Sequence, residues 1–284
     1  MPTTPFGRKA TVRNARMRAL FAGPSKSGKS FLALVTATNL LDTLREKKAP
    51  IKGHGDKHGR IIVIDTEAGR AEENYGDMFD FDVHELNDFS PDGYIDTLNR
   101  AVNAGYSCVI IDQISNEWAG KGGLLEQSTA IQNASSSKNS FTSWMSLTPK
   151  HAKFTDAIST CPVHIICTVR SKTDYVLEQT DKGMVPRKVG LAPIQRNETE
   201  YEFDIYGQIT QKHVVTIETR GSLSRFLGDR EFQPGRSVDD AGEAGLIGKL
   251  TAEWISGRSD AEASGYASRD QINEIRQLGD EVPV

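Results

Sequence analysis

At 284 residues, 37% of them apolar and 25% charged, the chain is long enough for one sizeable domain, or a domain with an appendage, and has a globular composition. Its net charge of −4 does not by itself announce a nucleic-acid binder. No apolar run reaches the ~18–20 residues of a membrane-spanning helix, the basic N-terminus leads into no signal-like apolar stretch, and Cys108, Cys161 and Cys167 lack metal-ligand spacing, so a cytoplasmic setting with buried, reduced thiols is expected.

The first 20 residues hold Arg8, Lys9, Arg13, Arg16 and Arg18 and no acid, and residues 1–16 read as a basic arm. "MRALFAG" reads as a strand entering a Gly-rich loop, and "KSFLALVTATNLLDTLREKK" as a helix with apolar residues near a 3.6-residue period. "RIIVID", "YSCVIID" and "CPVHIICTVR" are short, continuously apolar strands of the kind buried on both faces. Between the first two lies "PDGYIDTLNRAVNAG", a helix with Ser90 or Asp92 as cap and Gly105 as stop. "SSSKNS" at 135–140 reads as a mobile polar loop. "FTSWMSLTPKHAKFTDAIS" is helical, with Phe141, Trp144, Met145, Phe154 and Ile158 near one stripe and Pro149 as a potential break.

Beyond residue 170 the pattern alternates. "TDYVLEQTDKGMVPRKV" turns at Asp181-Lys182-Gly183 as a hairpin. Residues 170–196 carry six basic and three acidic side chains. "YEFDIYGQITQKHVVTIETR" reads as two strands with a polar turn, "DDAGEAGLIGKLTAEWI" as a helix and "GRSDAEASGYAS" as a linker. Residues 229–284 hold six basic and twelve acidic residues and end inside a helical pattern, so part of a further small domain is left open beyond them. Strands alternating with helices predict an α/β fold: a mainly parallel sheet covered on both faces, then antiparallel strands and a short helical tail. The core is expected over 17–228 and the acidic segment over 229–284.

Gly23-Pro24-Ser25-Lys26-Ser27-Gly28-Lys29-Ser30 has the spacing of a phosphate-binding loop between a strand and a helix. Its backbone N–H groups and the helix N-terminus would cradle the phosphates of ATP. Lys29 would reach the β- and γ-phosphates, and Ser30 would ligate Mg²⁺; Phe31, next in line, counts with the nucleotide-binding residues. Lys26 reads as a solvated side chain at the loop shoulder. Asp112, closing a buried strand, is the second candidate metal residue. AAA+ ATPases usually follow such an Asp with Glu; here Gln113 follows, so the catalytic base must come from elsewhere. Glu67, just past "IIVID", is the candidate and Glu117 the rival. His54 and His58 read as loop residues; His151, His164 and His213 are isolated.

These residues resemble the RecA-like ATPase core, a P-loop NTPase fold, and the stretches "GPSKSGKS", "VIDTEAGRAE", "FDFDVHEL", "NEWAGKGGLLE", "VRSKTDYVLEQ" and "KVGLAPIQRNETEYEFD" resemble phage-encoded RecA-like ATPases of the single-strand annealing type. The resemblance spans about residues 17–225. It implies Glu67 as catalytic base, Asp112 on the metal, Thr168 as γ-phosphate sensor (where RecA has glutamine) and Tyr75 against adenine. It further implies a DNA-binding loop carrying Arg170, Lys172, Lys182, Arg187 and Lys188, and a first loop at 119–140 with Lys121 and Lys138. Arg220, with Arg225 next, stands where a neighbouring subunit's arginine finger would come. The N-terminal arm would then serve oligomerisation into a ring or filament, and the acidic tail could recruit a single-strand-binding protein. The implied function is a Mg²⁺-dependent ATPase on single-stranded DNA in phage recombination, repair or replication. A helicase-like motor and an ATP-switched scaffold are the alternatives.

Overall fold

The computed structural model describes residues 15–134, 140–180, 183–228, 231–232 and 243–264, with side chains placed except at 140, 173–190, 244 and 258–264. The basic arm short of residue 15, the polar loop at 135–139 with Lys138, Lys182 of the hairpin turn and the tail beyond 264 lie outside the described residues.

Strands β2 (Ile61–Asp65) and β4 (Cys108–Asp112) are buried at every position, and β1 (Arg18–Gly23) at all but the first. Strands apolar at consecutive positions must be covered on both faces. With β3 (Asp82–Glu85), β5 (His164–Thr180), β6 (Gly183–Pro193), β7 (Ile205–Ile209), β8 (Val215–Thr219) and β9 (Glu231–Phe232) they form one sheet, ordered β3-β2-β4-β5-β1-β7-β8-β9, with β6 paired to β5. The pairings from β3 through β7 are parallel, and β8 and β9 return antiparallel. This is the expected α/β architecture. One strand, β5, separates the phosphate-loop strand β1 from the Asp112 strand β4.

Alternate residues of the same strands enter opposite cores, as the strand period of two requires. Phe21, Val63, Ile110 and Ile166 join Leu32, Leu40 and Leu44 of α1 (Lys29–Glu46) and Ile247 and Ile255 of α8 (Ala244–Ser264). Leu20, Ile64, Ile111 and Ile165 join Tyr94 and Leu98 of α3 (Pro91–Ala104) and Phe154 and Ile158 of α6 (Ser140–Ser159). Helix α3 starts where Ser90 Oγ accepts the Gly93 N–H at 3.1 Å and stops at Gly105, whose φ of 98° suits glycine. All three cysteines are buried and free. Short helices α2 (Arg70–Tyr75), α4 (Ser115–Ala119), α5 (Leu124–Ala134) and α7 (Ser224–Leu227) complete the structure.

Two details depart from the sequence expectation. Phe141 and Met145 are 72% and 66% exposed; the buried face of α6 is Ser143, Leu147, His151, Phe154 and Ile158. The helix continues through Pro149, which lies on the exposed face, where its one missing N–H costs least. The segment read as a linker is helical as far as Ser264, because α8 is nucleated against α1 and residues 258–264 contain no helix breaker.

Candidate active site

The C-terminal ends of β1, β2, β4 and the central part of β5 open on a cavity of about 490 Å³. The loop from Gly23 to Ser30 forms its floor. A Cβ at Gly23 would lie 2.5 Å from Ser27 Oγ and 2.8 Å from the Ile209 carbonyl oxygen, so only glycine fits there. Gly28, at φ 92°, caps α1; no side chain caps that end and no acid stands in its first turn, which leaves its N–H groups for an anion. The buried Ser27 Oγ has no partner among the described residues. Lys29 Nζ rests on the Pro24 carbonyl at 2.9 Å. Burial lowers the Lys29 pKa, while Asp112 and Glu67 nearby act to keep the ammonium charged.

Asp112 is 4% exposed and accepts the Thr168 hydroxyl at 2.5 Å. Burial raises its pKa, and hydrogen bonds from Ser30 and Thr168 oppose the rise. A hard dication would satisfy this carboxylate: Ser30 and Asp112 offer the hydroxyl and carboxylate oxygens that Mg²⁺ takes alongside phosphate and water. Among the described residues no group of three or more His, Cys, Asp or Glu is placed to hold a metal.

Glu67 reaches the same cavity from beyond β2. Its direction is set by Asp65, whose two carboxylate oxygens accept the N–H groups of Glu67 at 2.5 Å and Ala71 at 3.1 Å. Glu67 Oε1 accepts Gln113 Nε2 at 3.0 Å and pairs with the Arg170 guanidinium. The rival acid Glu117 is fully buried outside the cavity, bonded to His151 Nδ1 at 3.2 Å and Gln195 Nε2 at 3.2 Å.

A sequence model described as an AAA domain matches residues 15–237, which is most of the chain and includes every residue of this cavity. The chain belongs to the AAA domain family. A comparison with curated proteins finds no match. This AAA domain is therefore a P-loop ATPase domain of the AAA type, in which Gln113 follows Asp112 and Glu67 enters from the neighbouring strand.

The remaining expected residues of the AAA domain fall in three places. Ser25, Lys26 and Tyr75 line the cavity; Phe31 does not, and instead packs its ring 6.2 Å from Tyr75 and 5.6 Å from Phe79. Thr168 does not line it either: its hydroxyl donates to the Asp112 carboxylate. Arg170, read from the sequence as a DNA contact, points into the cavity, because β5 delivers it one strand away from the phosphate loop. Lys172 is exposed at the start of the β5–β6 hairpin, and Arg187 and Lys188 lie on β6, their side chains outside the described ones. Arg220 follows β8, whose Thr219 pairs Ile205 beside Ala19 near the start of β1. It therefore sits at the sheet end opposite the phosphate loop, with its guanidinium 5.5 Å above the Tyr201 ring, and cannot serve its own cavity.

Sequence reasoning missed Arg70, Asn74 and His213, all lining the cavity. Arg70 and Asn74 stand four residues apart just before Tyr75, a helical spacing that could have flagged them. His213 carried no local signal.

Proposed function

We propose that this AAA domain is a magnesium-dependent ATPase that binds single-stranded DNA, assembles as a homo-oligomer and anneals or pairs strands in phage recombination, repair or replication. One observation carries the reading: the continuity of β5. On that strand Thr168 holds Asp112 and Arg170 pairs with Glu67, and the same backbone runs on to Thr180 in the hairpin that bears Lys172, Arg187 and Lys188. The nucleotide cavity and a basic hairpin thus share one strand. Cations along such a projection track a phosphodiester backbone with little base preference.

In hydrolysis Lys29 leaves the Pro24 carbonyl for the terminal phosphates, and Gly28 and the first turn of α1 supply N–H donors. Glu67 orients the attacking water and accepts its proton at a carboxylate oxygen. Asp112, fixed by Thr168 and Ser30, holds the metal side. Magnesium, when bound, supplies positive charge against the phosphoryl oxygens. Because Arg220 lies far from its own cavity, its contribution is to a neighbouring copy.

The test is an ATPase titration with single-stranded DNA and, separately, single-stranded RNA. DNA is expected to raise turnover. Neutralising Arg187 and Lys188 together should weaken DNA binding and flatten its salt slope by about 1.4, at ~0.7 per charge on a single strand, with nucleotide affinity little changed. Turnover indifferent to either polymer refutes the reading.

A further inference from the structure

We propose that His213, in the turn between β7 and β8, is a positioning residue for the phosphate loop: its ring holds the Ser27–Gly28 peptide so that the Gly28 N–H faces a bound triphosphate. The inference rests on the cavity being a triphosphate site and adds a residue 186 positions along the chain from the loop it controls.

His213 Nδ1 lies 2.9 Å from the Ser27 carbonyl oxygen. A carbonyl oxygen can only accept, so Nδ1 carries the proton, in the neutral and the cationic ring alike. The carbonyl and N–H of a trans peptide point in opposite directions. Drawing the Ser27 oxygen towards His213 therefore turns the Gly28 N–H away from the ring and fixes its direction at a residue that lines the cavity. A phosphate loop works by aiming N–H groups inward, which requires that its carbonyls be held outward. The Pro24 carbonyl is held by Lys29 Nζ and the Ser27 N–H, and the Ser27 carbonyl by His213.

The presenting turn is itself fixed. The Thr210 N–H donates to the Val214 oxygen at 2.9 Å, the His213 N–H to the Thr210 oxygen at 3.0 Å, and the Val214 N–H to Thr210 Oγ1 at 3.2 Å. It emerges beside the loop because β7 pairs with β1, Gln208 standing opposite Ala22. His213 is at φ 63°, in the left-handed region, and it meets a loop in which Lys26 and Gly28 are at 64° and 92°. The left-handed region is strained for a non-glycine residue, so a bond across this contact has strain to offset. His213 is exposed, and core packing does not account for its place.

The experiment compares the full-length chain with H213A, H213N and H213Q, reading Mg-ATP affinity, KM, kcat and nucleotide-free melting temperature. Asn places an amide donor where Nδ1 stands and tolerates positive φ; Gln mimics the other ring nitrogen. H213A and H213Q should raise KM and Kd for ATP about tenfold, the scale of one hydrogen bond in a site where the loop is also released, with a smaller change in kcat. H213N should recover most of that loss. Equal affinity in H213A and the unsubstituted chain, or rescue by Gln as good as by Asn, overturns the assignment. H213G, which removes the donor and the φ strain together, keeps the test decisive if H213A folds poorly: it should be as stable as the unsubstituted chain and bind ATP weakly. Failure of the unsubstituted chain to bind Mg-ATP would instead sink the triphosphate site itself.

Discussion

Replacing Glu67 with Gln changes one atom's chemistry and little of the geometry. Oε1 still accepts from Gln113, at 3.0 Å in the native site, and from Arg170. The lost charge weakens a pair whose side chains are 22% and 41% exposed, so the stability cost should stay below about 1 kcal/mol. What disappears is the carboxylate proposed to accept water's proton. General bases supply ~10²–10⁴ in rate, so hydrolysis should fall at least ~100-fold, about 2.7 kcal/mol of barrier. Binding should move the other way. Removing an anion from a cavity that receives a triphosphate, while Lys29 and Arg170 remain, should leave ATP affinity equal or tighter by up to roughly tenfold. Single-turnover hydrolysis alongside equilibrium nucleotide binding measures both. A Glu67→Gln protein that hydrolyses within a few-fold of wild type refutes the assignment of the base, most directly if Glu117→Gln shows the large loss instead.

Lys29→Ala should abolish tight Mg-ATP binding, at a cost of at least ~2–4 kcal/mol for a charge lost from a preorganised phosphate site; isothermal titration decides, and wild-type affinity would reject the loop's role. Arg220→Ala should keep DNA binding and lose hydrolysis, and mixing it with Lys29→Ala should restore some turnover, since a shared site would join an intact loop to an intact arginine. No recovery in mixtures shown to co-assemble removes the shared site. At the far edge of the sheet, partial burial alone would raise the Asp82 carboxyl, but hydrogen bonds from Lys57, Tyr106 and Arg60 outweigh it and hold the pKa at about 2. A depressed folded-state pKa contributes stability above the unfolded value and loses it as pH falls from about 4 towards 2. Asp82→Asn should therefore lower the melting temperature near neutrality and flatten its fall across that acid window; being partly exposed, the cluster is worth no more than about 1 kcal/mol.

What could be read from the sequence was whatever depends on neighbours in the chain. "IIVID" and "YSCVIID" are strands because nothing else buries such short apolar runs twice over, and Ser90 and Gly105 mark the ends of α3 by their own backbone needs. The phosphate loop is legible because phosphate recognition is local. Asp112 and Glu67 were found as acids at strand ends, and β2 and β4 do pair Asp65 with Asp112. What the sequence did not show was decided by pairing across the sheet. Arg170 was read from its basic surroundings alone, since nothing in "TVRSK" tells that Gly23 is its neighbour in β1. His213 looked isolated since its partner is in the first tenth of the chain. In α6 the apolar side chains Phe141 and Met145 proved exposed, while Ser143 and His151 were buried by partners on other helices, Ser128 and Glu117.

Both feet of the β5–β6 hairpin are fastened to one short segment. At the outgoing foot the Arg170 N–H donates to Ser115 Oγ at 2.8 Å, and at the returning foot Gln195 Nε2 donates to the Ile114 carbonyl at 3.0 Å and to Glu117. The Ile114 N–H in turn donates to the Thr168 oxygen at 2.9 Å, two residues beyond Asp112. The base of the hairpin is thereby tied at Ile114, Ser115 and Glu117, just beyond Asp112 and Gln113, and its ten paired residues are a lever that acts on those ties.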